Sequence, residues 1–491
     1  MNPILVHLSA TVAMLAALTI VLAQNEEAME SIQNPAPEVS SASEIQPQEA
    51  SSDSTQAAPS VPTAEANIPQ EEEDWAPPIQ ASEWQRLEKY HYTITRTVFE
   101  DKLNLLYDPQ GALRNYIRLH DEMVEIYDRP IDEPGAQHVF TLNFARSPSE
   151  VRAVPRVYRT AREFKAQRSQ NPQAKPLSGL RVAIDPGHIG GAWGPIEMRS
   201  VEFPGIGTVQ EGDFNIITAH LIRQQLEEYG ATVFLTRQTT EPVTTVRPKD
   251  LYEQARKAIY ERSPDVAARL RHLPIEEQDR QLGERLIRVA NYIFARTAEK
   301  VARAEKLQKE FQADLTLVLY INATPTSGRG ELTTDNRNTF FVHGAYMPSE
   351  LAHASQRLAL FEKLLSRTNA TEFYVASKIA EAFAEITKLP PVLYGDSPST
   401  RQLDPENPYV IARNLAANRE YPGPVVVTEP YFMNNRIVAL RLLAGDYEGE
   451  REIEGTKFRS IFREYAEGVV RGLLKAYGDS ELVINSAHHS S

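Results

Sequence analysis

The chain has 491 residues, more than one ordinary core accommodates, and no cysteine, which removes disulfides, thiolate catalysis and cysteine-held zinc. A formal net charge of -14 leaves no basic excess for a nucleic-acid partner. Thirty-three prolines against 23 glycines point to a Pro-rich linker, within a composition that is otherwise globular.

Residues 1–23 carry an apolar run from Ile4 to Ala23 with no Lys or Arg ahead of it. Small residues before Gln24 suit cleavage of a signal peptide, and the run is also nearly long enough for an uncleaved membrane anchor. Both readings export the remainder of the chain to the periplasm or cell envelope, and only an uncleaved N-terminal segment meets a membrane. Residues 24–82 are rich in Glu, Ser, Ala, Pro and Gln and read as a disordered acidic linker. Residues 83–148 read as a small α+β or β-rich module. Strands are expected near Tyr116-Ile117, Met123–Tyr127 and Val139–Phe144, and a turn at Asp108-Pro109-Gln110-Gly111. Residues 149–178, basic and Pro-containing, read as a connector.

The large domain spans 179–477. Val182 to Ile184 form a buried strand that Pro186-Gly187 stops, presenting Asp185 and His188 at its end. Glu211 opens a helix with Asp213 in its first turn and an apolar stripe at Phe214, Ile217, Leu221 and Leu226; Gly230 closes it. Thr232–Thr236 is the next strand, so a right-handed crossover and a parallel sheet are expected. An insertion at 241–300 is charged and helical, and Arg285 to Phe311 reads as one extended helix. Further strands are expected at Leu315–Ile321, Thr339–Val342 and Val425–Glu429. Helices are expected at Ala352–Leu365 and Val375–Ile386, and a closing amphipathic helix runs from Phe458 to Leu473. The tail 478–491, with His488-His489, reads as disordered. No GxGxxG, GxxxxGK[ST] or GxSxG follows any strand, which argues against nucleotide binding and a serine hydrolase.

His188, Glu211 and Glu429 thus stand at the ends of elements that an apolar core alone would not finish with polar groups. A neutral imidazole with a carboxylate suits Zn2+, and a further carboxylate suits a general base for metal-bound water. Each has a plain alternative: a capped strand end, a dipole-favoured helix start, a partner for a core arginine.

From Gly179 to Tyr477 the chain resembles the zinc-dependent N-acetylmuramoyl-L-alanine amidases of the AmiC type. Ile184-Asp185-Pro186-Gly187-His188 is similar to the first zinc-ligand motif. Glu211-x-x-x-Asn215, with Gly230 and Leu235-Thr236-Arg237, is similar to the second-ligand segment. Arg303 and Ala313-Asp314 resemble the approach to the third-ligand strand. Pro424 to Glu429, followed by Phe432 and Asn435, resembles the catalytic-glutamate segment. The resemblance implies an α/β, three-layer domain with a mostly parallel central sheet. It also implies cleavage of the amide between N-acetylmuramic acid and L-alanine of peptidoglycan. His188 and Glu211 would hold one zinc and Glu429 would act as general base. Helices that activator proteins remove are known in this family, so the insertion and the 351–366 helix are candidate lids and a protein activator is a candidate partner. For the insertion, extra solvated surface is the preferred reading.

The third ligand departs from the family. Where its strand reads Ser-x-His-x-Asn, counting without gaps from Ala313-Asp314 puts Tyr320 at the histidine position and matches Asn322-Ala323, a shift of two puts Asn322 there instead, and in either register the histidine is missing. Both lie on one strand face and border the site. His343, at the end of the next strand, is a candidate replacement ligand. Tyr431 stands where the family usually has glycine, and its ring is expected to narrow or reshape the substrate groove. Two function classes remain: an exported zinc amidase, and a catalytically degenerate amidase-fold protein that binds cell wall or a partner. A different amide or ester hydrolase using the same cleft is a third.

Overall fold

The computed structural model describes residues 79–478 apart from 327 and 329. The expected leader over 1–23, the linker up to residue 78 and the tail beyond 478, His488 and His489 included, lie outside the described residues. No helix among the described residues is long and apolar enough to cross a membrane.

The first described segment builds a three-stranded antiparallel sheet from β1 (Ile117–Leu119), β2 (Met123–Tyr127) and β3 (His138–Asn143). A 3-10 segment, Ala81–Tyr90, and helix α1 (Arg96–Lys102) precede it. The expected turn forms because the Asp108 carboxylate accepts from the backbone N–H of Ala112 and Leu113 at 2.9 and 2.8 Å. Trp84 and Phe99 both pack on Phe361, with ring centroids 6.2 and 6.1 Å away. Ala345 and Tyr346 donate backbone hydrogen bonds to the carbonyls of Leu106 and Tyr107 at 2.7 and 2.8 Å. The module therefore shares one apolar core with the large domain. The stretch expected as a plain connector contains α2 (Ala161–Arg168), capped by Thr160 and Glu163, with Phe164 edge-on to Tyr477 at 5.7 Å.

Runs such as Val182-Ala183-Ile184 have apolar side chains on both strand faces, so both must be covered. The next elements are β4 (Arg181–Pro186), the hairpin β5 (Ser200–Phe203) and β6 (Gly207–Gln210), α3 (Glu211–Glu228) and β7 (Thr232–Leu235). Later strands are β8 (Leu315–Leu319), β9 (Asn338–Val342), β10 (Thr400–Gln402), β11 (Val410–Arg413) and β12 (Val425–Pro430). The central sheet has seven strands in the order β10-β11-β9-β12-β8-β4-β7. β7, β4, β8 and β12 run parallel. β9 is antiparallel to β12, with Glu429 opposite Thr339 and Val427 opposite Phe341. The sheet is thus mixed and mostly parallel.

Alternate residues go to alternate faces. Val182, Ile184, Leu317, Phe340 and Val426 meet one helical layer, with Phe214 and Ile222 of α3 and Ile379 and Val469 of the C-terminal half. Ala183, Val318, Phe341, Val425 and Val427 meet Leu307, Phe311, Leu415 and Tyr421. These faces make the three layers of an α/β domain.

The insertion folds as α4 (Tyr252–Arg262), α5 (Pro264–Leu270), α6 (Ile275–Ile293) and α7 (Glu299–Glu310), with a π-helical turn at Phe294–Ala298. The expected single helix from Arg285 is thus interrupted by that turn. The expectation of mere solvated surface is also corrected. Ala255, Ile259, Leu270, Leu286, Ile293 and Phe294 form a core that takes in Ile189, with Trp193 and Ile196 packed against it.

Candidate functional site

Pro186 ends β4, and the four carbonyls from Pro186 to Ile189 are all claimed. Arg237, just past β7, donates Nε to Pro186 at 3.2 Å, Nη2 to Gly187 at 3.2 Å and also to His188, and Nη1 to Ile189 at 2.9 Å. Arg303 on α7 donates to Pro186 at 3.0 Å and His188 at 2.9 Å. Asn215 on α3 donates to Gly187 at 3.0 Å. This cradle holds His188 at φ 56°, a left-handed conformation that a non-glycine residue keeps only when its surroundings impose it. Gly187 is required because a Cβ there would lie 2.2 Å from ring carbons of Tyr320 and 2.4 Å from the Leu319 carbonyl oxygen.

His188 has a carboxylate at each ring nitrogen. Nδ1 lies 2.8 Å from Glu197 Oε1, and Glu197 Oε2 accepts from the Ile189 N–H at 2.7 Å. Nε2 lies 3.1 Å from Glu211 Oε2, whose other oxygen accepts from the Ile321 N–H at 2.9 Å. Burial alone would lower the His188 imidazole, but Glu211 and Glu197 outweigh it and hold it above its ordinary value. Burial would raise the Glu197 carboxyl, and the histidine outweighs that, pushing it down to about 2. Both shifts have one cause, the attraction between the imidazole and its flanking carboxylates.

The parallel strands bring the other expected residues to the same edge. β8 ends at Leu319, paired with Pro186, so Tyr320 follows beside Gly187, its ring centroid 5.0 Å from that of His188. Asn322 is buried and bridges to Phe432 beyond the end of β12. Glu429 sits in β12, 4% exposed. Tyr465 joins these ends from the C-terminal helix, its hydroxyl 2.9 Å from the Tyr320 carbonyl oxygen and 3.0 Å from that of Thr428. Burial holds this phenol well above its ordinary value, and the charges of Glu429 and Glu211 add to the shift.

Three expected residues stand elsewhere. Because β9 runs against β12, its carboxyl end lies at the opposite sheet edge from Glu429. His343 is there, fully buried, its Nε2 2.8 Å from the Tyr346 hydroxyl and its ring 5.5 Å from that of Tyr107. It does not join His188 and Glu211. Tyr431 turns its ring into the helical layer against Phe383 and Tyr465 and donates to Glu464 at 2.9 Å; it does not narrow the groove. Asp185 is buried below the site, accepting from Tyr421 at 2.7 Å, Arg303 at 3.3 Å and Thr236. The carboxylate that orients His188 is Glu197, which sequence reasoning passed over. The available signal was an acid in a short loop shared with the histidine. Tyr465 lies on the apolar stripe of the closing helix, a pattern that says nothing of its hydroxyl.

A catalytic zinc takes three protein ligands and leaves a position for water. This edge offers His188 Nε2 and Glu211 Oε2, 3.1 Å apart, and the ring beside the histidine is the phenol of Tyr320 rather than a second imidazole. Among the described residues no three His, Asp or Glu side chains come together as a cation site. The residues present do not complete a resident zinc site.

No family model matches the sequence, and no curated protein matches it. Among solved structures it is similar to the catalytic domain of CwlV, an N-acetylmuramoyl-L-alanine amidase from Bacillus (Paenibacillus) polymyxa var. colistinus. That match has 14% identity and a TM-score of 0.30, and covers 60% of this chain and 97% of that one. It is similar to the amidase AmiC2 of Nostoc punctiforme at 16% identity and a TM-score of 0.31, covering 61% and 97%. It is similar to the amidase Ami1 from Mycobacterium smegmatis at 14% identity and a TM-score of 0.30, covering 62% and 98%. At these values the likeness carries no argument about chemistry, and the fold stands on the sheet order and layers described above.

Proposed function

We infer that this is an exported peptidoglycan-binding protein with an amidase-like cleft that has lost hydrolysis. The observation that supports the reading is that Tyr320, not a second imidazole, lies beside a histidine already engaged by a carboxylate at each nitrogen. Zinc, on this reading, is held weakly at most by His188 and Glu211. Without it a stable amide lacks both a polarised carbonyl and a strong nucleophile at neutral pH. His188, Glu211, Asn322 and Glu429 then serve as polar walls for a peptide. The retention of Glu429 at the end of β12 favours a second reading, an active zinc amidase in which Glu429 takes the proton of the attacking water and passes one to the leaving amine.

Co-sedimentation of the full chain with purified sacculi separates these readings when followed by assay of released stem peptide. The expected result is binding without release. Release that is lost in Glu429→Gln overturns the inference in favour of the amidase, and no binding overturns both.

A further inference from the structure

Near His188 two donors have no acceptor among the described residues. Arg199 lies two residues beyond Glu197, immediately before β5. In the β5–β6 hairpin Ser200 is opposite Gln210, so Arg199 is opposite Glu211 by continuation of the register. It is half-buried, its backbone N–H is fixed on the Gly194 carbonyl at 2.8 Å, and its charge is felt at the His188 ring. Among the described residues no carboxylate or carbonyl accepts from its guanidinium. The nearby acids are committed, since Glu197 serves His188 and Ile189, and Glu211 serves His188 and Ile321. Asn322, 4% exposed, follows Ile321, whose N–H binds Glu211. Its oxygen is used by the Ala323 N–H at 2.8 Å, and its Nδ2 is buried without an acceptor.

Asn322 Nδ2 is a buried donor left unmade, which costs free energy, and Arg199 adds a half-buried guanidinium with no acceptor among the described residues. The ligand that satisfies them is an acceptor. A guanidinium adds a preference for charge, since its fork matches a carboxylate bidentately. An anionic ligand would otherwise be repelled by Glu197, Glu211 and Glu429, so a cation unclaimed by these acids is what admits it.

We propose that Arg199 and the Asn322 carboxamide form a carboxylate-recognition subsite beside His188 and Glu211, and that it selects acidic over amidated peptide ligands. The natural ligand class, a peptidoglycan stem peptide with free carboxylates, rests on the function proposed above; the donor geometry does not.

The test is calorimetric titration of the full chain with muramyl dipeptide bearing free carboxylates, and with the same compound amidated. The acid is expected to bind roughly ten- to a hundredfold more tightly than the amide. Arg199→Gln removes that difference, Arg199→Lys keeps part of it, and Asn322→Ala reduces it; circular dichroism verifies each fold. Equal binding of acid and amide, or unchanged preference in Arg199→Gln, overturns the subsite. Sacculus co-sedimentation reads the broader function separately. Sacculi bound with no acid preference leave that function standing and remove the subsite. Acid preference without sacculus binding does the reverse, and failure of the wild type to bind either compound overturns the subsite outright.

Discussion

His343 shows what a single buried titratable group does to this fold. It is fully buried, and burial, then the Lys363 and Arg419 charges, hold its imidazole well below the ordinary value of 6.5. The unfolded chain takes up a proton below that pH while the folded chain does not, so this residue removes stability as pH falls. Relative to His343→Gln, the wild type should lose about 1.4 kcal/mol per pH unit below 6.5, read by urea denaturation at several pH values. Parallel curves for the two proteins would reject this. At this scale the sequence was legible in part. His188, Glu211, Glu429, Tyr320 and Asn322 meet at one edge because they follow or begin elements whose ends share that edge. Asp185, Tyr431 and His343 were misread because a side chain's face and a strand's direction depend on partners distant in the chain. Glu197 was missed because a loop acid carries no periodic signal.

At the scale of elements, the start of α3 sits against the loop that carries His188. A Cβ on Gly212 would lie 2.3 Å from the Gly190 nitrogen and 2.5 Å from the Ile189 carbonyl carbon. Glycine to alanine in a helix ordinarily stabilises by up to about 1 kcal/mol. Here backbone is displaced, so Gly212→Ala should instead destabilise by about 1–3 kcal/mol, seen as a lower melting temperature. An unchanged or raised melting temperature would mean the loop is not packed as described. The strands β4, β8 and β12 and helix α3 were legible because their apolar patterns and stop residues are local. The reversed direction of β9 was not, since an apolar run reads alike in either orientation. The insertion's core was hidden beneath charged surface residues, and two of its partners, Ile189 and Trp193, lie far upstream.

At the scale of the molecule, the N-terminal module and the sheet domain are one folding unit. Trp84 and Phe361 are shared between them, and two backbone hydrogen bonds tie the β9 end to Leu106 and Tyr107. Unfolding should therefore be one coincident transition by fluorescence and circular dichroism. A chain lacking 79–148 should lose fixed tertiary packing, with dye binding to the uncovered Phe361 face. Two separated transitions, or a well-folded truncated chain, would show independent domains. Composition marks the start of this unit near residue 83, and nothing local in 83–178 reveals that its apolar residues complete a distant helix layer.

The proposed loss of hydrolysis rests on Tyr320, rather than an imidazole, lying beside His188. Metal analysis of the wild type and of Tyr320→His, each loaded with zinc and then dialysed, decides it. Well under about 0.1 zinc per wild-type chain and about one per variant chain are expected, since an imidazole there completes the three-ligand set. About one zinc retained by the wild type, lost on His188→Ala, would contradict it.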